Sequence, residues 1–274
     1  MARPSRPKNR MNKLLLLFLS AISLAVAVSG CGPGSSPTAT LPPSTVTPLP
    51  PTVTPLPPTP TEPPVDLPDL LARLHWLGRA SFRLDGPPTI YFDPVLSSGG
   101  EHPQADVILI SHTHSDHYSP STLKRISKPG TVIVTNPLGA KAAQADVVPG
   151  QVRALRPGER TTVGKVLIEA VPAYNIGKSY HPKEAETLGF IVTLYGRRIY
   201  FAGDTDLIPE MADIRADVAL LPVGGTYTMD AKEAAQAAAI INPKVAVPMH
   251  NELGADLEQF RSLCKCEVLI MKIE

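Results

Sequence analysis

The chain runs to 274 residues, with 43% hydrophobic side chains, 31 prolines and a formal charge of +1. Setting aside the five basic residues of the first 13 positions and Glu62, residues 66–274 carry 21 basic against 24 acidic side chains. That near-neutral balance gives no electrostatic footprint for gripping a phosphate backbone, so no nucleic acid partner is expected. The same stretch is long enough for one well-buried domain.

In chain order, the first segment reads as an address. Arg3, Arg6, Lys8, Arg10 and Lys13 precede an apolar run from Leu14 to Val28 with no acid among them, which is the layout of an export signal. The run is shorter than the ~20 residues a spanning helix needs. It ends in "VSGC", Val28 to Cys31, which resembles the lipobox at which bacterial lipoproteins are cut and acylated. Residues 1–30 are therefore expected to be a lipoprotein signal peptide and Cys31 the lipidated first residue. More than one acyl chain on that cysteine is enough for stable attachment, which would leave the protein outside the cytoplasm and tied to a bacterial membrane.

Residues 31–65 follow as a linker. Thirteen prolines fall between Gly32 and Val65 and "TVTPLPPT" occurs twice, so this stretch has little to bury and is expected to be a disordered spacer. At ~3.1 Å per residue in polyproline II geometry it reaches up to about 100 Å.

From residue 66 to 274 short runs rich in Val, Ile and Leu recur. "RLHWLG", "TIYFDP", "DVILIS", "TVIVTN", "VLIEAV", "GFIVTLY", "RIYFAG", "DVALLPV", "KVAVPM" and "CEVLIMKI" are the expected strands. "LYGRRIY" reads as a tight hairpin. Helices are expected over Ser121–Ser127, Leu138–Gln144, Asp230–Ile241 and Ala255–Cys264, with Asp230 as an N-cap and Asn242-Pro243 as a stop. Such alternation implies a layered α/β architecture. Cys264 and Cys266 read as packing residues.

Chemistry-bearing residues cluster where strands run out. His112, His114, Asp116 and His117 occupy six positions after "VILIS", in a chain with seven histidines. Three imidazoles and a carboxylate at that density point to metal ligation, by donors that suit Zn²⁺ and also iron or manganese. Asp93, Asp204 and His250 end three other strand candidates, the pattern of a site along one rim of packed sheets. His75 reads as a core-facing or satisfied strand residue and His102 as part of a polar loop.

"HTHSDH", "FAGDTD" and "VPMH" resemble, in order, the motifs of the metallo-β-lactamase superfamily. "YFDP", "VPAYN", "HPKE" and "LLPVGGTYTMD" are further similar to its predicted metal-dependent hydrolases related to ascorbate-6-phosphate lactonase. The resemblance spans about Leu74 to Asn251. It implies a four-layer αββα sandwich in a single domain, with two metals between the sheets. One metal would take His112 and His114, the other Asp116, His117 and His250, with Asp204 bridging and Asp93 holding a ligand histidine from just outside.

Two departures stand out. The position that in relatives gives the third histidine of the first metal site aligns with Asn175. Either His181 supplies that ligand from the nearby loop, or Asn175 serves as a weak oxygen donor; the poor fit of amide oxygen to zinc favours His181. Arg79 replaces a histidine in "WLGRASF", where it sits at the rim or meets a substrate anion. Lys178 and Lys183 are the accompanying candidates, with Tyr227 beside paired glycines as a further substrate-binding candidate.

The expected activity is metal-assisted hydrolysis of a small ester, lactone, amide or phosphodiester. Asp116 and Asp204 would be the carboxylates closest to the chemistry, and Asp116 a proton shuttle if one metal is bound. The rival readings are a phospholipid-acting phosphodiesterase, a non-catalytic metal-dependent binding protein and a redox di-iron enzyme.

Overall fold

The computed structural model of the chain describes residues 64–96, 100–146, 148, 150–251 and 254–274. The export signal, Cys31 and most of the Pro/Thr-rich linker lie outside the described residues. Among those described, no helix is long and apolar enough to cross a membrane.

A short helix α1 (Leu67–Ala72) opens the fold. The first sheet then holds six strands in chain order: β1 (Leu74–Gly78), β2 (Ser81–Leu84), β3 (Ile90–Phe92), β4 (Val107–Ile110), β5 (Val132–Thr135) and β6 (Gln151–Ala154). Helices α2 (Pro120–Ile126) and α3 (Pro137–Ala145) are the crossovers that make β4, β5 and β6 parallel. The second sheet runs from β7 (Arg160–Val163) through β8 (Val166–Pro172), β9 (Leu188–Leu194), β10 (Arg197–Phe201), β11 (Val218–Pro222) and β12 (Val245–Met249) to β13 (Glu267–Val268). Helix α4 (Ala231–Ile241) joins β11 to β12, and α5 (Leu257–Leu263) precedes β13.

The continuous apolar runs are explained by burial on both faces. Along β3, β4 and β5, alternate side chains go to different cores, because successive residues of a strand point to opposite faces. Ile90, Phe92, Val107, Leu109, Val132 and Val134 join the core between the sheets. Tyr91, Ile108, Ile110 and Ile133 join a second core with Leu123 and Ile126 of α2 and Ala143 of α3. Across the sheets Phe92 and Phe201 meet with ring centres 5.4 Å apart. The alanine face of α4 and Phe260 of α5 cover the other sheet. The result is helix, sheet, sheet, helix: the αββα sandwich expected.

Local signals match the elements they foretold. Asp230 caps α4 by accepting from Lys232 N and Glu233 N, while Glu233 returns a bond to Asp230 N, a capping box that satisfies otherwise orphaned donors. The β9–β10 hairpin turns at Tyr195 (φ 54°) and Gly196 (φ 69°), as a two-residue turn with positive φ at both positions does. "CEVLIMKI" departs from expectation: it pairs as a strand only over Glu267–Val268, and then its end bridges to the other sheet at Trp76–Ile273. Cys264 and Cys266 are free, partly buried and packed against the core. His75 is satisfied by Asp85 (2.9 Å) and Glu274 (3.0 Å).

Candidate metal centre

Five strand ends or adjoining loops deliver the polar residues to one rim. Asp93 follows β3, Ser111 and His112 follow β4, Asp204 follows β10 and His250 follows β12, while His181 comes from the loop between β8 and β9. Tight backbone places two of them. Gly203, at φ 64°, lets the chain turn into Asp204 with a Cβ position only 2.6 Å from the Leu188 carbonyl oxygen. Gly224 passes His250 so closely that a Cβ would stand 2.6 Å from the His250 carbonyl oxygen. Arg79, Asp93, His181 and His250 themselves sit at φ 48°, 41°, 53° and 52°, a left-handed conformation that costs a non-glycine residue roughly 1–2 kcal/mol and is kept where the surroundings over-determine it.

The geometry has two lobes. In the first, His112 Nε2, His114 Nδ1 and His181 Nε2 form a triangle with sides of 3.0, 3.0 and 3.1 Å. In the second, Asp116 Oδ2 lies 3.7 Å from His117 Nε2 and 3.5 Å from His250 Nε2. Asp204 Oδ2 stands between the lobes, 3.3 Å from His117 Nε2, 3.5 Å from His250 Nε2 and 3.7 Å from His181 Nε2. Donors about 2.1 Å from a common ion would stand about 3.0–3.4 Å apart at octahedral to tetrahedral angles. The first lobe matches that spacing and the second is slightly wider.

The tautomers also fit a cation. Ser111 Oγ donates to Asp93 Oδ2 (2.5 Å), so at 2.9 Å it accepts from His112 Nδ1, leaving Nε2 as a bare lone pair. His117 Nδ1 donates to Asp93 Oδ2 at 2.7 Å, which likewise frees its Nε2. The Tyr227 carbonyl accepts from the His181 ring. Three mutual approaches in the first lobe thus have at most the His114 proton to share, and lone pairs facing lone pairs repel unless a cation lies among them. His117 Nε2 and Asp204 Oδ1 are also buried with no hydrogen-bond partner, a cost of about 1–3 kcal/mol each that an ion would offset.

Electrostatics keeps His112, Asp116 and Asp204 in their ligating forms. Burial, and then the neighbouring His117, hold His112 well below the ordinary histidine value, so it stays neutral. Hydrogen bonding with His250, followed by the charge of His117 and the Arg79 bond, holds the Asp116 carboxyl far below the usual carboxylate range. Burial works against ionisation of Asp204, yet His117, His250 and His112 together keep it below that range too. His117 is buried as well, but Asp204 and Asp93 outweigh that and raise it well above the ordinary value, so without a cation its ring favours a second proton at Nε2, which a cation bound there would displace.

All seven residues expected to ligate therefore converge, and Asp93 lies where the sequence put it. His181, not Asn175, completes the triangle. Asn175 Nδ2 donates to the carbonyls of Tyr180 (3.1 Å) and Tyr227 (2.7 Å) and lies 3.3 Å from His181 Nδ1, so it fastens the loop that carries the histidine. Lys178 is a correction. Its ammonium is spent on Asp206 Oδ1 (2.6 Å) and the carbonyls of Thr228 (2.8 Å) and Gly225 (3.2 Å), which uses all three donors inside the protein and leaves none for a substrate anion. Tyr227 contributes its carbonyl, while its ring stands edge to face with Tyr180 at 4.7 Å. Arg79 Nη1 pairs with Asp116 Oδ2 at 2.7 Å. Sequence reasoning missed that pairing and the orienting role of Ser111, whose one signal was its place directly before His112.

Beside Asp116 a cavity of about 760 Å³ opens, lined among others by Leu77, Arg79, Val95, Leu96, Ser115 and Ile273. Its size is that of a small-molecule pocket.

Known proteins resemble this chain in sequence and fold. Residues 73–250 match the model of the β-lactamase superfamily domain. Proteins named UPF0173 metal-dependent hydrolase are similar: one from Methanoculleus marisnigri is 36% identical over 69% of this chain and 87% of its own length, and one from Archaeoglobus fulgidus 32% identical over 73% and 96%. The crystal structure of a metal-dependent hydrolase candidate from Parabacteroides distasonis superposes with a TM-score of 0.65 at 32% identity, covering 73% of this chain and 93% of that one. Igni18, a metallo hydrolase from Ignicoccus hospitalis, shares the fold with a TM-score of 0.60 at 24% identity, over 73% and 94% of the two chains. With its motifs, its two sheets and these relatives in agreement, the chain belongs to the metallo-β-lactamase superfamily.

Proposed function

We propose that this protein is a metal-dependent hydrolase acting on a small ester, lactone, amide or phosphodiester. The observation that carries the reading is the pair of donor lobes sharing Asp204 Oδ2 between them. His112, His114 and His181 would hold one cation and Asp116, His117 and His250 a second, with zinc favoured by the donor set and manganese or iron the alternatives. A cation bound there lowers the pKa of water toward ~7 and polarises the carbonyl or phosphoryl oxygen under attack.

The chain's own groups supply the rest. Asp93 and Ser111 orient two imidazoles, Asp204 and Asp116 stay ionised beside the reacting position, and the adjoining cavity receives the remainder of a small substrate. No serine or cysteine nucleophile is needed, and the two described cysteines, by α5 and β13, are not among the clustered donor groups. The lactone option takes its support from the likeness of "VPAYN", "HPKE" and "LLPVGGTYTMD" to the lactonase branch.

The proposal extends to location: residues 1–31 support an exported lipoprotein anchored at Cys31. Metabolic palmitate labelling that disappears in Cys31→Ala would bear this out, and labelling that survives would remove the anchor. For activity, metal analysis of the purified protein would be paired with a panel of chromogenic phosphodiesters, esters and lactones. The double variant H112A/H114A is expected to lose the metal of the first lobe and turnover with it; turnover that persists in it would refute the assignment.

A further inference from the structure

The oxygen that would face a cation in the second lobe is already engaged. Asp116 Oδ2 is the atom set 3.5 Å from His250 Nε2 and 3.7 Å from His117 Nε2, and Arg79 Nη1 donates to that same atom at 2.7 Å. The first lobe differs: its donors are three ring nitrogens, and Asp204 beside it pairs with histidines alone among the described residues.

The pairing is built into the backbone. The Arg79 carbonyl accepts from Trp76 Nε1 (2.8 Å) and from the backbone N–H of His250 (3.1 Å), so the β1–β2 turn that presents the guanidinium is fastened to the residue supplying the neighbouring imidazole. Asp116 is 26% exposed and Arg79 47%, which leaves the guanidinium half in solvent at the wall of the cavity.

A carboxylate oxygen that already accepts a charge-assisted hydrogen bond has less electron density to offer, and a cation drawn to it must also approach a fixed positive charge. Arginine cannot relieve that repulsion by losing its proton. We propose that Arg79 separates the two lobes in affinity. By holding the ligating oxygen of Asp116 it makes the Asp116–His117–His250 position the weaker one, filled only after the three-histidine position. It also keeps Asp116 in place while that position is empty. Arg79 is thus a positioning residue acting through Asp116, and the inference rests on the reading of this rim as a metal centre.

The test is a titration of the metal-stripped protein with Zn²⁺ alone against a chromophoric chelator, for the parent, R79Q, R79K and H112A/H114A. R79Q removes the charge and leaves the backbone bonds of residue 79 intact, and its thermal unfolding checks that the fold is kept. The parent is expected to bind one zinc tightly and a second more weakly, and R79Q to tighten the second by about tenfold or more, the scale of charge repulsion at such close range, while leaving the first unchanged. R79K, which keeps the charge, should behave as the parent. If the parent shows only one zinc, R79Q should reveal the second, and its failure to do so counts against the proposal.

An R79Q second constant equal to the parent's overturns the inference and leaves the metal centre standing. One weaker than the parent's also overturns it, since the guanidinium would then be helping Asp116 to ligate. Zinc binding that is absent, or indifferent to H112A/H114A, removes the metal centre and the inference together.

Discussion

Asp93→Asn changes one atom, yet it should disturb both lobes. The Asp93 carboxylate is fully buried and accepts three bonds: Oδ1 from Ser111 N–H (2.7 Å), Oδ2 from Ser111 Oγ (2.5 Å) and from His117 Nδ1 (2.7 Å). An amide must present its NH₂ to one side. Turned to the backbone, it sets donor against donor. Turned to the side chains, it forces His117 to accept at Nδ1, which moves the ring proton to Nε2 and closes that nitrogen to a cation. It also reverses the Ser111 hydroxyl and releases His112 from its tautomer. Loss of such an orienting carboxylate typically weakens metal binding 10- to 100-fold, or about 1.4–2.7 kcal/mol. The metal-free protein should lose a further ~1–3 kcal/mol of stability for the buried donor left unmatched. Zinc competition and thermal unfolding of the stripped protein measure the two effects separately. A D93N protein that retains the parent's zinc affinity would show that the tautomers are not set through this carboxylate.

Other perturbations distinguish other parts of the argument. Removing the His181 imidazole (H181A) should empty the first lobe, whereas N175A should weaken it by only about tenfold through the loosened loop; chelator competition on both decides, and equal losses would restore Asn175 as a ligand. G224A places a methyl 2.6 Å from the His250 carbonyl oxygen, so it should lower zinc affinity in the second lobe more than in the first, read in the same titration. Asp217 accepts from Arg198 N–H, Arg197 and Lys244 at 3.0, 3.2 and 2.9 Å; burial opposes ionisation, but these bonds hold its pKa below the ordinary value. Its folded pKa is thus the lower one. The stabilisation is present above the unfolded value of ~3.9 and fades as pH falls through the folded value. The melting difference between the parent and D217N should therefore be larger at pH 7 than at strongly acid pH, and a difference that does not shrink on acidification would contradict the linkage.

What the sequence revealed follows from which signals are local. The α4 cap, the β9–β10 turn and the doubly buried strands are written in adjacent residues, and the histidine motif announces itself by density. Edge strands are harder to read: β6 is "QVRA" and β7 is "RTTV", with little buried surface to impose a pattern. β2 hides for another reason. Arg83 interrupts its apolar run yet is only 5% exposed, because Asp85 and Glu274, the latter 191 positions away in sequence, surround it. The same distance effect concealed the Arg79–Asp116 pair, whose members are 37 positions apart. Lys178 looked available because nothing in a linear string shows that Asp206 and two carbonyls of a later loop close over it.

The left-handed backbone at Arg79, Asp93, His181 and His250 bears on any search for hardier versions of this protein. Glycine would relax the main chain there by roughly 1 kcal/mol or more, a gain that loss of buried side chains opposes at Asp93, His181 and His250 but not at half-exposed Arg79, so a library screened for heat resistance alone would be rewarded for discarding the guanidinium. Survivors would be robust but changed at the rim. Screening for retained metal binding alongside endurance would keep the search from trading away the rim it set out to preserve.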